Sequence, residues 1–143
     1  MNLVDANVLL YAVNESDPKH EVSRRWLDGA LNGRDPVAFA WLAVLAFVRL
    51  STRAGLFPAP LSAADAMQRV EDWLGQAPAV VLDPTTRHLA VLSGLLRAVG
   101  TGGNLVGDAH LAAIAVEHGA TIVTFDSDFG RFPGVSWTMP ATT

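Results

Sequence analysis

Four short apolar runs, each passing into a segment of helical spacing, constrain this chain more than any other feature. Met1 to Val4, Val37 to Ala40, Ala79 to Leu82 and Thr121 to Phe125 have the length of strands, and apolar residues in the segments between them recur every three to four positions. Strands separated by helices cannot pair as hairpins. The arrangement that buries both faces of each strand is an open, mostly parallel sheet with helices on either side. The expected fold class is therefore α/β: one domain over residues 1–143, with about four to five strands flanked by helices.

Local signals place the helices. Val8, Leu9, Leu10 and Ala12 predict a turn or two after the first strand. Asp17-Pro18 reads as a cap and first-turn pair for a helix running to about Leu31, and Trp41 to Arg53 as a mostly buried helix closed by Gly55. Ser62 with Asp65 predicts a capped helix to Leu74, and Asp83-Pro84 the start of another bearing Leu89, Leu92, Leu96 and Val99. Asp108 to His118 forms the last, stopped by Gly119, and Val135 to Thr138 offers an edge strand. Trp26, Trp41 and Trp73 are expected in the core, and His110 and His118 on the surface or in a groove, without a metal.

The composition removes several classes of function. With no cysteine, the chain has neither a disulfide framework nor a thiolate zinc site nor a cysteine nucleophile. The start, Met1-Asn2-Leu3-Val4-Asp5, lacks the basic and long apolar regions of a signal peptide, so a cytoplasmic location is expected. The longest apolar run, Val37 to Val48, is too short to cross a bilayer, so no membrane partner is expected. Net charge is −4, so a polyanion would need local help to bind; nine of the ten bases are arginine, whose forks suit phosphate.

That help lies in the acids. Ligands of open parallel sheets collect outside the carboxyl ends of the strands, and Asp5 and Asp126 both follow predicted strands directly. Asp128 is two residues further on, and Asp108 opens the helix before the last strand. Two carboxylates about 4 Å apart repel by roughly 4 kcal/mol at an effective dielectric of 20, so converging acids take up protons or a cation. Oxygen ligands select Mg²⁺, with Mn²⁺ as substitute, and a metal held this way is a usual arrangement for phosphodiester hydrolysis. Each acid also has a plain structural reading: Asp5 and Asp108 as helix caps, Asp126 with Asp128 as an Asx turn. Asn7 orients ligands or substrate or serves a cap; Thr124 faces the rim or fills a strand. Arg49 and Arg53, four apart, are candidates for the substrate backbone, with Arg24, Arg25 and Arg87 behind them.

Read together, these segments resemble a PIN-domain ribonuclease of the VapC type, the toxin of bacterial toxin–antitoxin pairs. Val4 to Ala12 is similar to that family's first motif, Asn104 to Ala113 to its third acidic motif, and Thr124 to Phe129 to its terminal motif. The resemblance implies that Asp5, Asp108 and Asp126 are metal ligands, with Asp128 assisting, and that Thr124 is a polar neighbour. It further implies an RNA substrate, a small VapB-type antitoxin lying over the site, and a homodimer. One position departs from the pattern. The family's helix after the second strand carries a Glu ligand, and here Ala46-Phe47-Val48-Arg49 puts Ala46 in its place, with no acid anywhere between Asp35 and Asp65. Either the site is naturally thinner or the chain has been deliberately disarmed, the second being favoured, and a non-catalytic module that binds RNA or antitoxin stands as the alternative function. Aspartyl-phosphate chemistry is disfavoured because the single lysine is Lys19, and a P-loop because no Gly-Lys-Ser/Thr occurs.

Overall fold

The computed structural model describes residues 1–141. Five strands, β1 (Asn2–Val4), β2 (Val37–Phe39), β3 (Ala79–Val81), β4 (Thr121–Val123) and β5 (Trp137–Thr138), form one sheet in the order β3-β2-β1-β4-β5. Every neighbouring pair is parallel. Six helices connect and cover it: α1 (Ala6–Val13), α2 (His20–Leu31), α3 (Trp41–Ser51), α4 (Ala63–Leu74), α5 (His88–Val99) and α6 (Leu105–His118). The chain builds outward from β1 to β3 on one side, then crosses to β4 and β5 on the other. The reversal falls between β1 and β4.

Alternation along the central strands divides the core in two. Leu3, Ala38 and Ile122 point to one face, where they meet Leu111, Ala112 and Ile114 of α6 with Leu95 of α5. Val4, Val37, Phe39 and Val123 point to the other, against Val8 and Leu9 of α1, Leu27 of α2, Phe47 of α3 and Val70 of α4. Residues one apart on a strand serve opposite layers, so a register slip of one would exchange the two cores.

Several boundaries differ from those the sequence predicts. Helix α2 begins at His20, with Lys19 as its cap residue; Asp17 instead accepts the Lys19 N–H in the preceding turn. Helix α5 begins at His88 instead of at Asp83-Pro84. The reason is tertiary: the N–H and hydroxyl of Thr85 both donate to the Glu117 carboxylate, at 2.9 and 2.6 Å, which holds this segment off the helical path. Helix α6 opens at Leu105, so Asp108 lies in its first turn and does not start it. The edge strand is only Trp137–Thr138. Trp41 is not core: it stands 49% exposed at the start of α3.

Candidate active site at the sheet reversal

In an open parallel sheet the crevice lies where neighbouring strands leave in opposite directions, here at the carboxyl ends of β1 and β4. Asp5 follows β1 directly. One of its carboxylate oxygens accepts the Ala6 N–H at 2.7 Å, capping α1, and its backbone N–H donates to the Val123 carbonyl of β4. The cap reading of Asp5 therefore holds, and the same side chain keeps a second oxygen for other partners.

Thr124, fully buried, ties the two strand ends together. Its hydroxyl donates to the second Asp5 oxygen at 2.8 Å and accepts from the Asn7 amide and the Asp126 N–H, each at 3.0 Å. Asn7 closes the loop by donating to Asp5 at 3.3 Å and accepting the Phe125 N–H at 3.2 Å. Four polar residues from opposite ends of the chain are therefore held in one network. Asp126 heads a short 3₁₀ turn, Ser127–Arg131, by accepting the Asp128 N–H at 2.9 Å, the Asx-type turn read from the sequence.

Asp5, Asn7 and Asp126 border a cleft of about 350 Å³, lined also by Asp108 and by Ala46 and Arg49 from α3. Leu10 and Leu111, both buried, with the half-buried Leu50 and the exposed Leu42 form its apolar walls, which the sequence does not single out from other leucines. Arg49 makes no ion pair among the described residues, so its guanidinium is available to an incoming anion. Three predicted residues do not line the cleft: Thr124, fully buried and tied to it through its hydrogen bond to Asp5, Arg53, exposed beyond the end of α3, and Asp128, whose charge reaches Asp108 from outside. Arg24 and Arg25 are engaged with Glu21 on the surface of α2, and Arg87 donates to the Glu117 carbonyl. A larger cleft, about 410 Å³, opens beside Asn2, Pro36 and Arg34 at the opposite end of the strands, and holds none of the predicted acids.

The acids also act on one another electrostatically. Burial, then the charges of Asp126, Asp5 and Asp128, push the Asp108 carboxyl up to about 6. Burial also raises Asp5, against the lowering effect of its hydrogen bonds from Thr124 and Ala6, with Asp126 adding repulsion. Such a set is under-neutralised. Among the described residues, no three acid or histidine side chains converge as tightly as a closed metal cage requires. The donor set nonetheless suits Mg²⁺, which needs only one or two carboxylates and keeps several waters.

Residues 3–135 match the PIN domain, and the chain belongs to that family. Among curated proteins it is 60% identical to Ribonuclease VapC37 of Mycobacterium tuberculosis over 140 residues, 98% of this chain and 97% of that one. Ribonuclease VapC33 of the same species is 38% identical, with 98% of each chain covered. Among solved structures, VapC20 of M. tuberculosis, a sarcin–ricin loop cleaving toxin, superposes with a TM-score of 0.68 at 18% identity, covering 95% of this chain and 99% of that one. A chain of VapBC2 from Rickettsia felis, bound to a DNA fragment from its promoter, gives 0.69 at 17% identity, covering 96% and 97%. At such identities these two speak for the fold.

Proposed function

We propose that this chain is an endoribonuclease toxin of the VapC type, dependent on Mg²⁺ or Mn²⁺, hydrolysing RNA phosphodiester bonds and held in check by a VapB-type antitoxin. The observation that carries the proposal is the convergence of Asp5, Asp108 and Asp126 on one cleft at the sheet reversal, beside Arg49, which makes no ion pair among the described residues. The near-full-length likeness to ribonucleases VapC37 and VapC33 supports the choice of RNA as substrate. A homodimer and a cytoplasmic location are part of the same proposal; no helix among the described residues is long and apolar enough to cross a membrane.

Asp5, Asp108 and Asp126 are the residues that would hold the cation. When bound, it lowers the pKa of water and offsets charge on phosphate oxygens. The protein's own contribution is arrangement. Thr124 and Asn7 fix the Asp5 carboxylate, and the Asx turn aims Asp126. Arg49 offers a fork to a phosphate oxygen, and the leucine walls exclude bulk water from one side of the cleft. Asp128, outside the cleft lining, orients water or a ligand at its margin.

Ala46 lies in the cleft lining and adds no donor. Loss of a ligand should weaken metal binding at least as much as loss of a group supporting one, about 10- to 100-fold. That observation favours the second reading, a PIN-like module that binds RNA or antitoxin without turnover. Incubating the protein with labelled tRNA and rRNA across Mg²⁺ and Mn²⁺ separates the two. Cleavage that disappears in Asp5→Asn and grows in Ala46→Glu supports the enzyme; RNA retained uncut at saturating Mn²⁺, in the native chain and in Ala46→Glu alike, supports the module.

A further inference from the structure

Away from the acidic cleft, α5 and α6 are joined by a second polar cluster. The Glu117 side chain is fully buried and accepts three hydrogen bonds, two from Thr85 and one from His88 Nδ1 at 2.5 Å. Burial works to raise its pKa, but the bonds from Thr85 and His88 outweigh it and the carboxyl ends lowered, hence ionised. A carboxylate only accepts, so His88 Nδ1 carries a proton, and in the neutral ring Nε2 is a bare lone pair. That lone pair faces His110 Nδ1 at 2.9 Å, with the two rings nearly perpendicular at 77°. No hydrogen bond engages His110 Nε2 among the described residues.

A buried carboxylate that fixes one imidazole and directs its other nitrogen outward is the supporting arrangement found behind metal-bound histidines. We propose that His88 Nε2 and His110 Nδ1 form a two-histidine site for a borderline divalent transition metal such as zinc, distinct from the acidic cleft, with water in the remaining positions. Nitrogen ligands select such ions over Mg²⁺. Two imidazole nitrogens on one zinc stand about 3.3 Å apart at the tetrahedral angle and about 2.0–2.1 Å bond length, so the pair opens by a few tenths of an ångström. Glu117 keeps the His88 lone pair on the ion, while His110, with no other hydrogen-bond partner among the described residues, swings its Nδ1 off the line of that lone pair so that its own meets the ion at the tetrahedral angle. Its proton moves from Nδ1 to Nε2, so both rings stay neutral and no proton is released. The ion would clamp α5 to α6, against which half of the core packs.

The test is a calorimetric zinc titration of the full-length protein, with and without excess Mg²⁺, monitored in parallel by the histidine side-chain ¹⁵N resonances. The proposal expects one zinc that Mg²⁺ does not displace, shifts confined to His88 and His110, and a thermal midpoint raised by zinc. His110→Gln should weaken binding at least tenfold, and Glu117→Gln about 10- to 100-fold, while Asp108→Asn leaves it in place. Should Glu117→Gln fail to fold, the His110→Gln result and the resonance shifts decide. No binding at millimolar zinc, binding unchanged in His110→Gln, or binding lost only in Asp108→Asn would each overturn the assignment.

Discussion

Thr124 has one hydroxyl and three neighbours that depend on it: Asp5, Asn7 and the Asp126 N–H. Thr124→Val keeps the shape and removes all three bonds, leaving buried polar groups unsatisfied. Denaturant unfolding should show a loss of about 1–3 kcal/mol, and Mn²⁺ titration a weakening of about 10- to 100-fold; Thr124→Ser should recover most of both. Asp108 sets a pH dependence. Its folded pKa, about 6, lies above the ordinary aspartate value of 3.8, so the metal-free fold holds this proton more tightly than the unfolded chain does. The group's contribution to stability is therefore fully present below 3.8 and is lost as pH rises through about 6. Thermal midpoints measured in chelator from pH 4 to 8 should carry this decline, and Asp108→Asn should remove it. If the native and Asp108→Asn profiles run parallel, the mutual repulsion assigned to the cleft is wrong.

At the scale of elements, α3 is both a wall of the cleft and a core helix. Phe47, one residue after Ala46, is fully buried and meets Trp73 of α4 edge-on at 4.9 Å. Phe47→Ala should cost about 3–5 kcal/mol, read by denaturant unfolding, and the cleft should loosen with it. The strands and the central part of each helix are legible in the sequence, because periodicity reports burial directly, as the split of Leu3 from Val4 shows. Two helix starts are not legible. Asp17-Pro18 and Asp83-Pro84 carry good local signals, but the Thr85 segment answers to Glu117, 32 residues away, which no local pattern reveals. Trp41 is similar: an apolar side chain at a helix start gives no sign of which way it faces. In the site, the acids, Asn7, Thr124 and Arg49 were readable from their places after strands or on a helix face, whereas the leucine walls and the His88–His110–Glu117 cluster depend on packing between helices.

For the whole molecule, the parallel sheet explains how residues separated by about the full length of the chain share a site. β1 pairs with β4, Val4 beside Val123, and each strand delivers its acid within three residues of that pairing. The fold concentrates like charge there, so the proposed cation would be linked to stability: an ion at 100 times its dissociation constant adds about 2.7 kcal/mol. Mn²⁺ should raise the thermal midpoint of the native chain at pH 7 and leave that of a chain lacking Asp5, Asp108 and Asp126 unmoved. The most direct measurement is a crystal of the protein soaked in Mn²⁺ and analysed by anomalous scattering. A peak within bonding distance of Asp5 and at least one of Asp108 and Asp126 is the predicted result; a cleft without manganese, or manganese bound only elsewhere, would contradict the account.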